Sequence, residues 1–352
     1  MLAVETKVEN TSDTVTPGLG AWISFGWKEI AAPIRPFLKS VDGLLEEQVL
    51  AFEPEIVPYA RYALTSQGKQ LRPALVALSA GDPNQNRDDL VTMAVIIEMI
   101  HLATLVHDDV IDVAQVRRGQ PTLAAKWGNT VSVLVGDCLL AQAMKLATDC
   151  LTLEVCRAVA AATKAVCSGE IRQTLARSNQ DMTREEYFEI LAMKTGALFA
   201  LSCDMGAALG AVPAAHRAIL RQFGTLLGTA YQIYDDCLDL FGSETVAGKS
   251  LGTDMANGKL TLPVLWALER ATVEDHRALK EMINHWRHDS LPRLLEILRR
   301  YDVLTESRQS VCAHIEAGRQ MLAKLPDSDS RFALMGLTAF FEKQTGTLGV
   351  VT

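Results

Sequence analysis

Residues 98–122 read EMIHLATLVHDDVIDVAQVRRGQPT. An apolar run that stays helical as far as Asp112 puts Asp108 and Asp112 one turn apart on one face, with Asp109 about 100° round from Asp108. Three carboxylates then crowd one helix end, where unpaired like charges about 4 Å apart repel by roughly 4 kcal/mol even at an effective dielectric near 20. Such a cluster calls for a cation, and hard oxygen ligands suit Mg²⁺ or Ca²⁺ rather than zinc.

The pattern recurs in AYQIYDDCLDLFG, residues 230–242, where Asp235, Asp236 and Asp239 take the same spacing after another apolar helix. Either cluster alone could be a solvated acidic turn. As a pair, each followed by a basic, glycine-containing stretch (VRRGQPT; GKSLGTDMANGKLTLP), they predict facing helices that share metal ions. Cations stand beside the apolar helices as well. Lys69 and Arg72, in QGKQLRP (67–73), fall at a loop-to-helix junction, where free amides and side-chain charge both favour an anion. Arg117, Arg118, Lys194 and Lys259 complete the set. Carboxylates alone would repel a phosphate, but Mg²⁺ binds one or two of them and completes its shell with substrate phosphates and water. The implied substrate has a diphosphate head and a hydrocarbon tail. His101, two turns before Asp108, reads by itself as a hydrogen-bonded core residue more readily than as a ligand.

At 352 residues the chain can bury a large core, and no compositional break marks a second domain. Hydrophobic residues make up 49% and the formal net charge is -8, which disfavours nucleic acid as a partner. The seven cysteines are scattered without a C-x-x-C pair, consistent with a reducing, cytoplasmic compartment. Residues 1–30 read as a flexible tail without a signal peptide, residues 31–352 as one catalytic domain, and no segment as a membrane span. From Ala31 onward apolar residues recur at helical spacing, Thr183 and Glu186 form a capping box, and no stretch alternates as a strand would. The predicted fold is all-α, with buried helices over 124–147 and 153–168 and a polar stretch over 169–181.

These motifs resemble those of the all-trans polyprenyl diphosphate synthases, and the resemblance runs from Pro33 to Lys343. It implies a helical bundle around a central apolar cavity, and condensation of isopentenyl diphosphate with an allylic prenyl diphosphate. It further implies that Asp108, Asp109, Asp112, Asp235 and Asp239 hold Mg²⁺, three ions with substrate bound, with Asp236 in support. Arg117, Lys194 and Lys259 would bind the allylic diphosphate, and Lys249 would assist near its head. Lys69, Arg72, His101 and Arg118 would bind isopentenyl diphosphate, while Thr195 and Gln232 would face the developing carbocation. A homodimer is also implied. Gln67 and Gln70 depart from the family's usual GGKRLRP, but Lys69 and Arg72 are kept.

Product length turns on the helix that bears Asp108. Helical periodicity places Thr104, Ile100 and Ile97 on the aspartate side, and the resemblance adds Ala103, since members that stop at farnesyl or geranylgeranyl length often carry an aromatic residue at one of the positions filled by Ala103 and Thr104. Both are small here, and DDVID carries no insertion. The expectation is a medium- to long-chain product of the kind used for quinone side chains; a short-chain synthase is the alternative. A terpene cyclase would have no use for the Lys69, Arg72 and His101 set, and a non-catalytic partner subunit would tolerate lost aspartates, of which there are none.

Overall fold

A computed structural model describes residues 19–65, 68–150, 152–243 and 250–349. Two short helices, α1 (Leu19–Ser24) and α2 (Trp27–Ile30), lead into α3 (Arg35–Leu50), α4 (Val57–Leu64) and α5 (Leu71–Ser79). Next comes α6 (Arg87–Ile111), then a two-stranded turn of β1 (Val116–Arg117) and β2 (Gln120–Pro121). The short α7 (Leu123–Trp127) precedes the long α8 (Asn129–Cys150) and α9 (Leu153–Leu175). A π-helical turn, Ala192–Gly196, joins α10 (Arg184–Leu191) to α11 (Ala197–Leu209), and α12 (Ala214–Phe241) follows. The remainder comprises α13 (Thr253–Ala256), α14 (Leu262–Arg270), α15 (Val273–Asn284), α16 (Leu291–Arg300), α17 (Val303–Leu322) and α18 (Asp329–Gly346).

A helix that is apolar all round has to be buried, and α6 is the clearest case. Leu90, Met93, Ala94, Ile96, Ile97 and Ile100 have no solvent exposure. It packs along α8 and touches α3, α5 and α11, while α12 lies between α11 and α17. Helices α5 and α11 approach so closely that a Cβ on Gly206 would sit 2.9 Å from the Val76 Cα. The Thr183 and Glu186 capping box is present at the start of α10.

Several expectations need correction. Residues 19–30 are not a loose tail: Trp22 and Ile30 are buried, the Trp22 ring meets Phe25 edge-on, and α1 packs on α18. Widely spaced aromatics in a short segment leave no periodic signal, so only the tertiary contact shows that they are core. The stretch 124–147 breaks into α7 and α8 at Gly128, and α9 runs on to Leu175. Neither α8 nor α9 is fully buried, for Val133, Leu134, Ile171 and Leu175 are exposed. The chain after Asp112 also forms a small antiparallel pairing, Val116 opposite Pro121. Three stretches, Arg87–Ile111, Asn129–Asp149 and Arg184–Leu209, are long and apolar enough to cross a membrane by length and composition. In the first and third, 72% of the apolar window is buried inside the bundle, so core packing accounts for their composition.

Candidate active site

A cavity of about 400 Å³ opens between α6, the β1–β2 turn, α9, the π turn and α12. Its wall carries Asp108, Arg117, Arg118, Lys194, Thr195, Gln232 and Asp235, all expected from the sequence, along with Arg72 and His101. Asp108 of α6 and Asp235 of α12, more than 120 positions apart in the chain, thus line one cavity.

The six aspartates do not share one role. Asp108 and Asp235 line the cavity. Asp109 accepts from Arg117 Nε at 2.9 Å and Nη2 at 2.8 Å, so its charge is already paired. Asp112 caps α6, accepting from Arg177 Nη2 at 2.8 Å and from Lys259 Nζ at 2.5 Å. Asp239 is fully buried and accepts from Thr253 Oγ1 at 2.5 Å and the Asp254 amide at 3.0 Å. Asp236 accepts from the Tyr187 hydroxyl at 2.6 Å and Gln232 Nε2 at 2.9 Å, yet burial still pushes its carboxyl up to about 6.

Among the described residues no three His, Cys, Asp or Glu side chains stand together as a finished metal cage. Mg²⁺ does not need one, because substrate oxygens and water complete its octahedron. The donor chemistry fits such an ion: burial raises Asp108 to about 6, with Lys194 opposing and Glu170 adding to the rise. A buried carboxylate displaced in that direction lacks compensating charge, and a divalent cation supplies it.

Lys194 protrudes from the π turn, a geometry often found where a helix serves a site. Its ammonium pairs with Glu170, donates to Gln173 Oε1 at 2.9 Å and lies 3.8 Å from Asp108. Opposing carboxylates more than offset burial and hold it protonated, above the ordinary lysine range. Beside it, Thr195 Oγ1 donates to Gln232 Oε1 at 2.7 Å. The Arg72 guanidinium lies 4.9 Å over the Phe199 ring. Burial, then the charges of Arg72, Arg118 and Arg117, drive the His101 pKa well below its usual value, leaving a neutral ring among cations. One carboxylate faces Arg72 and Arg118 there, that of Glu98 on α6, whose own pKa burial raises.

Lys69 is exposed, over the Phe340 ring at 5.0 Å, and is absent from the cavity wall. Lys249 and Gln67 lie outside the described residues. Gln70 takes a left-handed conformation and its amide donates to Asp42 on α3. Of the four residues expected to set product length, Thr104 lines the cavity, whereas Ala103, Ile100 and Ile97 are buried in the core. The sequence reading missed Glu170, Gln173, Arg177 and Tyr187. A signal for three of them existed: positions 170, 173 and 177 carry the helical spacing of α9 onward through the polar stretch.

A polyprenyl synthetase family model matches residues 53–298. The chain is 33% identical over 329 residues to a nonaprenyl diphosphate synthase of Mycobacterium tuberculosis, covering 93% of this chain and 98% of the relative. It is 30% identical over 317 residues to a short chain isoprenyl diphosphate synthase of Methanothermobacter thermautotrophicus, covering 89% and 98%. Among solved structures, a polyprenyl synthase from Caulobacter crescentus, complexed with calcium and isoprenyl diphosphate, superposes with a TM-score of 0.86 at 30% identity, covering 91% of this chain and 98% of that one.

Proposed function

Since the chain belongs to the polyprenyl synthetase family and is a prenyltransferase, we propose that it condenses isopentenyl diphosphate with an allylic diphosphate, in repeated cycles, to a medium- or long-chain all-trans polyprenyl diphosphate. The observation that carries this reading is one cavity lined by Asp108 of α6 and Asp235 of α12, with Glu170 of α9, and also by Arg72, His101 and Arg118. Carboxylates for a metal-bound diphosphate and cations for a second diphosphate are both on that wall. A terpene cyclase would need only the first.

Asp108 and Asp235 would hold Mg²⁺, which supplies Lewis-acid stabilisation of charge on the leaving diphosphate. Lys194, held protonated, donates to the same group as the allylic carbon–oxygen bond breaks. Thr195 and Gln232, hydrogen-bonded to each other on the cavity wall, would face the carbon that becomes positive, and the apolar part of the wall would keep water from it. Arg72, His101 and Arg118 would hold isopentenyl diphosphate so that its double bond attacks that carbon, and the cation so formed loses a proton to the departed diphosphate, which restores an allylic double bond.

The direct test is incorporation of labelled isopentenyl diphosphate with and without EDTA, followed by product extraction. Incorporation should vanish with the chelator and return with Mg²⁺. Full activity without divalent metal would remove the metal from the scheme, and cyclic hydrocarbon released without isopentenyl diphosphate would favour a cyclase.

Product length rests on the small side chains at Ala103 and Thr104 and on similarity to the nonaprenyl synthase. Ala103→Phe is expected to shorten the product to farnesyl or geranylgeranyl length with the first condensation largely intact. Thr104→Phe, at a position already on the cavity wall, should do so more strongly. Unchanged chromatograms for both folded variants would mean that the tail takes another path, and a wild-type product of only geranylgeranyl length would establish the short-chain reading.

The exposed apolar side chains of α8 and α9, Val133, Leu134, Ile171 and Leu175, support a homodimer that covers them. Sedimentation at micromolar concentration should show a dimer; monomer alone would count against it.

A further inference from the structure

Lys194 faces two carboxylates, and they have different uses. Its ammonium makes its close ion pair with Glu170 of α9, whereas Asp108 stands back at 3.8 Å. Apart from Lys194, neither Glu170 oxygen has a hydrogen-bond partner among the described residues. Gln173, one turn on, takes a second ammonium hydrogen at 2.9 Å. The side chains of Glu170 and Lys194 are 14% and 16% exposed, so water screens the pair weakly. Helix α9 can come this near because residue 169 is glycine: a Cβ there would sit 2.7 Å from the Lys194 amide nitrogen. All of this geometry draws the ammonium toward α9 and away from α6.

We propose that Glu170 is a positioning residue that holds Lys194 off Asp108, keeping that carboxylate available to a divalent ion while the third ammonium hydrogen points at the substrate diphosphate. This rests on the reading of Asp108 as a metal ligand. An ammonium has three donors and no acceptor. With Glu170 and Gln173 taking two, one remains for the cavity. Without the Glu170 charge, Asp108 becomes the strongest acceptor within reach, and a lysine paired to it competes with the metal.

The test uses full-length protein and Mn²⁺ as a spin-active substitute, with binding read from loss of the free-ion EPR signal. Glu170→Gln, close in shape but neutral, should weaken Mn²⁺ binding about tenfold and lower kcat, with KM for isopentenyl diphosphate unchanged within twofold. The double variant Glu170→Gln/Lys194→Met should regain most of the Mn²⁺ affinity, because the competing cation is gone, and Lys194→Met alone should bind Mn²⁺ at least as tightly as wild type. A merely structural role for Glu170 predicts no such rescue. Equal Mn²⁺ binding by wild type and Glu170→Gln, or loss in the single variant without rescue in the double, overturns the proposal alone. Wild type that binds no Mn²⁺ overturns the metal role of Asp108 and this proposal with it.

Discussion

Replacing Asp108 by alanine is expected to lower kcat by about two to four orders of magnitude without lowering thermal stability. A metal at a leaving phosphoryl oxygen contributes several kcal/mol to the transition state, and each 1.36 kcal/mol is about tenfold in rate. Its ligand acts hardest as charge develops, so the loss should fall on kcat rather than KM. Stability should move the other way, or not at all. Burial raises the Asp108 carboxyl to about 6, which means that the fold disfavours its charge at neutral pH. Steady-state kinetics at saturating Mg²⁺, with a melting curve, decide the matter: a kcat within tenfold of wild type would show that Asp108 is not a metal ligand.

A large effect on stability is expected at Gly206, where α5 and α11 touch. A Cβ at this position would lie 2.9 Å from both the carbonyl carbon and the Cα of Val76, and backbone cannot swing aside as a side chain can. Gly206→Leu therefore has to push the helices apart, at about 3 kcal/mol or more, the upper part of the overpacking range. At about 2.1 cal/mol/K per residue, a chain of 352 residues loses roughly 1.4 °C per kcal/mol, so Tm should fall by about 4 °C or more. Activity should suffer too, since α5 begins at Leu71 and brings Arg72 over Phe199 of α11. A Tm within 2 °C of wild type would mean that the contact relaxes freely.

The sequence revealed the site's reagents better than their arrangement. Asp108, Asp235 and Lys194 could be placed on one cavity because the spacing of charge within an apolar helix is a local property, written in consecutive residues. What Asp109, Asp112 and Asp239 do is not local. Their partners, Arg117, Arg177 with Lys259, and the 253–254 turn, arrive from up to 147 positions away, and nothing in DDVID or DDCLD says which carboxylate the protein's own cations will claim. The burial of Trp22 and Ile30 was hidden for the same reason. Helix α9 is a different case: its polar continuation kept the helical period, and Glu170 was passed over because polarity was read as a break.

The π turn at 192–196 has a consequence for how this chain can change length. Such a turn closes its hydrogen bond over five residues instead of four, so it stores one residue that a regular helix would not contain. Removing one residue there would leave α10 and α11 as a single uninterrupted rod, acceptable to the backbone. The bulge absorbs the extra residue, so the flanking helices would keep their register, while Lys194 would lose the widened turn that carries it into the cavity. A deletion of one is thus cheap for folding and ruinous for chemistry at this position, whereas in a surface loop the same edit would be neutral for both. The bulge marks a point where the length of the chain, rather than the identity of any side chain, is under functional constraint.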